Sequence, residues 1–195
     1  MTLQRVCVFC GSRPGKDPRF QAAARELGAE LVRRDLGLVF GGGSVGLMGV
    51  VADTVMEAGG EVIGVIPREL VDREVGHHEL TELRIVDSMH ERKHTMASLA
   101  EAFVAMPGGI GTLEELAEAL TWNQLGIHAK PCGLLDVAGY WEPLRTLYGG
   151  FVEHGFLDEQ ALRFLVAEER PAALLDALAS WDPVPVKRWK GPGAF

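Results

Sequence analysis

Residues 37–46 read GLVFGGGSVG, and residues 102–112 read AFVAMPGGIGT. Each stretch is a short apolar run followed at once by a glycine-rich turn. Each turn leads into a segment of helical spacing, residues 46–58 after the first and 112–125 after the second. Strand, glycine turn and helix in that order are the parts of a βαβ unit with parallel strands. Outward from these two stretches the same alternation continues. Residues 5–9, 61–66, 83–86 and 132–137 read as further strands, with a short one near 164–166. Further helices are expected at 18–34, 88–100, 140–153 and 171–180. Phe20, Ala23, Ala24, Leu27, Leu31 and Val32 recur at helical spacing in the first of these. Ser88 with Glu91 three residues on is a capping-box pattern, and Gly126 is a stop signal. Residues 67–80 are polar and irregular. The expected fold is α/β, a Rossmann-like three-layer α/β/α arrangement on a mostly parallel sheet. Residues 1–181 read as one domain, with neither repeat nor linker. Residues 182–195, with three prolines and two glycines, read as a flexible tail.

At 195 residues the chain is long enough to bury a substantial core as one domain. Its net charge of −8 argues against general nucleic-acid binding, which needs a basic face. A small phosphorylated ligand needs only a few local donors and is not excluded. Three cysteines, Cys7, Cys10 and Cys132, make no disulfide framework. With no signal peptide and no apolar run of bilayer length, the expected location is the cytoplasm, away from membranes.

In an open parallel sheet ligands bind beyond the carboxyl ends of the strands, so both glycine turns are expected to face one crevice. Backbone N–H groups of Gly41, Gly42, Gly43 and Gly46, and of Gly108, Gly109, Gly111 and Thr112, could approach an anion there, aided by the helix that follows. The alternative is a tight strand-to-helix connection needing one permissive glycine. Gly41, Gly43 and Gly46 match G-x-G-x-x-G, yet the next strand ends Val65-Ile66-Pro67-Arg68, without the acidic residue that a dinucleotide ribose requires. No Gly-Lys-Ser/Thr is present, so a P-loop is excluded as well.

Two further patterns are decoys. His90-Glu91-Arg92-Lys93-His94 matches the zinc-protease H-E-x-x-H, but two cations lie between the would-be ligands and no third ligand follows at a family spacing. No metal is expected. Cys7-Val8-Phe9-Cys10 lies along a strand, where its thiols face opposite sides as buried structural residues. His77-His78 reads as solvated loop.

Arg92 and Lys93 follow the fourth strand, where an arginine fork can grip phosphate or ribose oxygens; a solvated helix charge is the alternative. Glu115 follows the second glycine turn. It reads equally well as a carboxylate beside a bound ligand and as the capping partner of Thr112.

Three stretches together carry a resemblance: GGGSVGLMG at 41–49, MHERK at 89–93, and PGGIGTLEE at 107–115 followed by TWNQLGIHAKP at 121–131. The chain resembles the LOG ("lonely guy") family, whose members have long been catalogued as lysine decarboxylases. The resemblance implies hydrolysis of the N-glycosidic bond of cytokinin riboside 5′-monophosphates, and often of AMP, to free base and ribose 5-phosphate. It implies Arg92 and Glu115 as catalytic residues, and places Met89 and Lys93 beside the substrate. No cofactor and a homodimer or higher homo-oligomer are implied too. A nucleotide or molybdenum-cofactor carrier of the same fold, without turnover, is the competing reading. A carrier has no chemical need for Arg92 and Glu115 together. A true decarboxylase would need a Schiff-base lysine that neither glycine turn supplies.

Overall fold

The computed structural model describes residues 2–71, 77 and 80–186. Among these, seven strands form one sheet: β1 (Arg5–Phe9), β2 (Gly37–Phe40), β3 (Val62–Pro67), β4 (Glu82–Val86), β5 (Ala102–Ala105), β6 (Cys132–Leu135) and β7 (Leu165–Glu168). Every neighbouring pair is parallel, and the order is β4-β3-β2-β1-β5-β6-β7. The helices are α1 (Pro18–Arg33), α2 (Gly46–Glu57), the single turn α3 (Arg68–Val71), α4 (Met89–Leu99), α5 (Ile110–Gln124), α6 (Glu142–Glu153) and α7 (Pro171–Ala179).

Strand alternation sorts side chains to two apolar layers. Val6, Val8 and Cys10 face one layer with Leu27 and Leu31 of α1, Val51 and Val55 of α2, and Leu174 and Leu178 of α7. Cys7 and Phe9 face the other with Met96 of α4 and Leu116 and Leu120 of α5. The cysteines of the C-x-x-C therefore point to opposite faces, as a strand requires. All three cysteines are free and buried, and burial pushes the Cys132 thiol up to about 12.

The chain steps outward from β1 to β4, then returns to lay β5 on the other side of β1. The switch point therefore falls between β1 and β5, and a crevice opens beyond their carboxyl ends. The strand at 165–168 runs two residues beyond the stretch read from sequence.

Two stretches seen in the sequence hold helices in place. Ser88 caps α4, its Oγ accepting from Glu91 N at 3.1 Å, while Glu91 Oε2 accepts from Asp87 N at 2.9 Å. At the far end of α4, Lys130 Nζ donates to the carbonyls of Ala97 and Ala100 at 2.6 and 2.7 Å. Asn123 Nδ2 in turn donates to Lys130 O at 2.7 Å. The TWNQLGIHAKP stretch thus supplies orphan carbonyls with a charged donor and anchors the helix that carries Arg92. Of the expected tail, residues 182–186 are described, and Val184 is buried in the second apolar layer. Residues 187–195 lie outside the described residues, as do His78 and most of the stretch 72–79. His77 is not solvated as expected: its Nε2 lies 2.7 Å from Asp53 Oδ1, and its N–H donates to Gly42 O.

Candidate active site

The crevice at the switch point has a volume of about 500 Å³, a size that suits a small ligand. Three connections wall it. One is the loop after β1, including Gly11, Ser12 and Arg13; the second is Leu47 and Met48 of α2; the third is the turn from Pro107 through Thr112, with Glu115 behind it. Phe20 and Tyr140 close one side, edge to face with centroids 5.6 Å apart. Tyr140 Oη donates to Gly108 O and fixes that ring against the turn. Cys10 also reaches the crevice, but burial pushes its thiol far up, so it is no nucleophile at neutral pH.

Helix α5 starts two residues before the Thr112 expected from sequence. Its N-cap is Gly109, with no side-chain cap hydrogen bond, and Thr112 lies inside the first turn, buried against Gly108. A capping box needs its hydroxyl residue at the N-cap. The Thr112–Glu115 capping alternative therefore fails. Glu115 becomes the sixth residue of α5, on the crevice wall. A Cβ placed on Gly109 or Gly111 would meet no atom within 4 Å. Neither position needs glycine for packing, so their smallness leaves open space above the helix end.

The first glycine turn behaves differently. A Cβ on Gly41 would collide with Arg92 Nη2, and one on Gly46, at φ +64°, would collide with the backbone of Ser12 and Arg13. Leu47 N–H, in the first turn of α2, donates to Gly11 O at 2.9 Å. The loop after β1 thus covers the N-terminus of α2, while Gly41, Gly42 and Gly43 are buried and lie off the crevice wall. Of the two turns expected at one crevice, only the second presents its glycines there.

Arg92 is 7% exposed and reaches the crevice from α4. Its Nε donates to Val65 O at 3.1 Å and its Nη2 to Gly41 O at 3.2 Å. Its Nη1 lies 3.8 Å from Glu115 Oε1 and 3.9 Å from Met89 Sδ. Met89 itself is half-exposed at the start of α4. Burying a guanidinium costs free energy that its partners here, two carbonyls and Glu115, must offset, and its place on the crevice wall makes Arg92 a candidate functional residue. Lys93 takes no part in the crevice wall. Adjacent helix residues diverge by about 100°, and Lys93 Nζ instead donates to Glu114 Oε1 at 2.6 Å and Glu118 Oε1 at 3.1 Å; burial by itself lowers its pKa, and the two carboxylates together outweigh that and raise it. His90 and His94 sit on exposed positions of α4, and no group of three metal-ligating side chains gathers among the described residues.

Sequence reading missed the loop after β1, with Arg13, and the aromatic pair Phe20–Tyr140. Gly11 and Gly15 flank that loop at the carboxyl end of a strand, the same signal that singled out the other two turns.

Sheet order and crevice together place the chain in the class of Rossmann-like α/β proteins whose ligand crevice opens at the switch point. Solved structures agree on the fold. The molybdenum cofactor carrier protein of Chlamydomonas reinhardtii superposes with a TM-score of 0.71 at 21% identity, covering 92% of this chain and 98% of that one; this identity speaks to fold alone. In sequence, the family described as "Possible lysine decarboxylase" matches residues 48–178. Cytokinin riboside 5′-monophosphate phosphoribohydrolase LOG7 of Arabidopsis thaliana is 49% identical over 93% of this chain and 83% of its own length. The enzyme named LOG from Oryza sativa subsp. japonica is 49% identical over 93% of this chain and 75% of its own. The chain belongs to the LOG family of cytokinin riboside 5′-monophosphate phosphoribohydrolases.

Proposed function

We propose that this chain hydrolyses the N-glycosidic bond of adenosine 5′-monophosphate, bare or N6-modified, releasing free base and ribose 5-phosphate. One observation carries the reading: Arg92 and Glu115, from different helices, meet at 3.8 Å on the crevice wall. The names of the relatives at about half identity agree with it.

The 5′-phosphate rests on the first-turn N–H groups of α5, at Gly109, Ile110, Gly111 and Thr112, where the helix dipole favours an anion. Gly109 and Gly111, on either side of Ile110, leave the room for it, while Gly108 makes way for Thr112 and Gly11. Glu115 lies five residues past Ile110, about 7.5 Å along the axis, a span that a ribose and its phosphate bridge. Departure of the base builds positive charge on C1′ and the ring oxygen. The Glu115 carboxylate stabilises that charge or takes the proton of the attacking water. The C1′–N9 bond breaks with its electron pair going to the base, the water oxygen bonds C1′, and one water proton ends on the base. Arg92 orients Glu115 and grips ribose or phosphate oxygens through Nη1, with Met89 flanking it. Gly41–Gly46 act at one remove, seating Arg92 and the loop after β1.

A homodimer or higher homo-oligomer fits the exposed apolar side chains of Leu147 and Phe151, one turn apart on α6, and of Phe156 beyond it. Residence in the cytoplasm fits three free cysteines; among the described residues no helix is long and apolar enough to cross a membrane. The test is incubation of the purified protein with AMP, followed by chromatography. Adenine and ribose 5-phosphate in equal amounts support hydrolysis. AMP bound and recovered intact would overturn it in favour of a carrier.

A further inference from the structure

Among the described residues two cations line the crevice, Arg92 and Arg13. Their situations differ sharply. Arg92 is buried, with Nε and Nη2 already donating to Val65 O and Gly41 O and Nη1 turned toward Glu115. Arg13 is exposed, and among the described residues it forms no ion pair. Its backbone is nevertheless well fixed. The Ser12–Arg13 peptide lies so close to Gly46 that no Cβ fits there, Gly11 N–H donates to Pro107 O at 3.1 Å, and Gly11 O accepts from Leu47 N. The loop is therefore tied both to the start of α2 and to the turn that opens α5. The backbone of Arg13 is thereby held beside the turn that opens α5, with its side chain on the crevice wall.

Charge balance gives that position its meaning. A phosphate monoester carries between one and two negative charges at neutral pH. The end of α5 supplies about half a positive charge. Behind it come Glu114, Glu115 and Glu118; Lys93 offsets the first and last of these, and Glu115 stays in the crevice with Arg92. The whole chain carries −8. A dianion entering this crevice needs a counter-charge from a side chain, and among the described residues Arg13 is the crevice cation not already bound to protein groups.

We infer that Arg13 binds the 5′-phosphate and thereby sets the preference for a nucleotide over a nucleoside. The inference rests on the nucleotide reading proposed above. Arg13 does not act on the glycosidic bond: it is a specificity-determining residue, and Arg92 and Glu115 remain the pair at the reacting atoms.

The experiment titrates ribose 5-phosphate, which has no bond to cleave, into wild-type protein, Arg13→Ala and Arg13→Lys by calorimetry. AMP turnover is measured on the same samples. Arg13→Ala is expected to weaken ribose 5-phosphate binding about ten- to a hundredfold, the scale of a lost hydrogen bond to a charged group. KM for AMP should rise in parallel, with a smaller fall in kcat as the ribose loses part of its anchoring. Arg13→Lys, which keeps the charge and loses the fork, should fall between. Equal affinity in wild type and Arg13→Ala overturns the inference, as does a wild type that binds no ribose 5-phosphate. The hydrolysis reading fails separately, if wild type binds AMP yet releases no adenine; the calorimetric comparison then still decides the part played by Arg13. Thermal melts of both variants check that this exposed loop substitution leaves the fold intact.

Discussion

Arg92 and Glu115 are read best through what each would lose on substitution. Glu115→Gln keeps the shape of the side chain and removes its charge. It can neither stabilise an oxocarbenium ion nor accept a water proton, so turnover of AMP should fall at least about a hundredfold, the usual scale for a lost acid–base group. The fold should persist, with some fall in melting temperature because the buried Arg92 loses the carboxylate it faces. Near-normal turnover in the folded variant would contradict the catalytic role. Arg92→Lys keeps a cation but cannot donate to Val65 O and Gly41 O while also facing Glu115. A large drop in kcat is expected in a folded protein, and full activity would reduce Arg92 to a diffuse electrostatic contribution. Both residues were legible in the sequence as candidates. What sequence left open was whether Glu115 caps a helix, since a starting point two residues earlier follows from backbone geometry that a Thr-x-x-Glu spacing does not encode. Lys93 lies off the crevice wall for a similar reason. Beside Arg92 in sequence, it points a quarter-turn or more away on the helix, into two carboxylates of α5.

Among elements, the two glycine turns look equivalent in sequence and differ in the fold because of a third connection. The loop after β1 lays Gly11 O on the start of α2 and leaves the start of α5 uncovered. No local pattern reveals this; it depends on which helix that loop leans against. The relation between α4 and α5 matters equally, since one carries Arg92 and the other Glu115. Lys93 is a polar tie between them, through Glu114 and Glu118. Lys93→Met should loosen the pair. A stability loss of about 1 kcal/mol is expected for such partly exposed links, a fall of about 2–4 °C in Tm. AMP turnover should fall several-fold with it, and Lys93→Arg should restore both. The check is a melt and a kcat measurement on each variant; unchanged kcat in Lys93→Met would mean that packing alone sets the Arg92–Glu115 distance.

At the scale of the molecule, the alternation of β-branched runs and helical stretches made the α/β class and most strand positions readable. Strand order was not, because the return of β5 to the side of β1 rests on contacts far apart in the chain. That return makes the switch point, and with it the crevice in which residues from α4, α5 and the loop after β1 converge. A crevice built this way, with an uncovered helix end, a cation on its rim and a carboxylate about 7.5 Å further along the same helix, is fitted to a substrate anchored at one end and cut at the other. On the proposed reading, phosphate binding contributes to catalysis by placing C1′ against Glu115. The most direct test is free-base release from AMP and from adenosine at equal concentration. Two or three hydrogen bonds to a charged group, at roughly 1.5–3 kcal/mol each, correspond to about a hundredfold or more in kcat/KM. AMP is therefore predicted to be cleaved while adenosine is nearly inert; comparable rates on the two would contradict the account and leave a plain nucleosidase in its place.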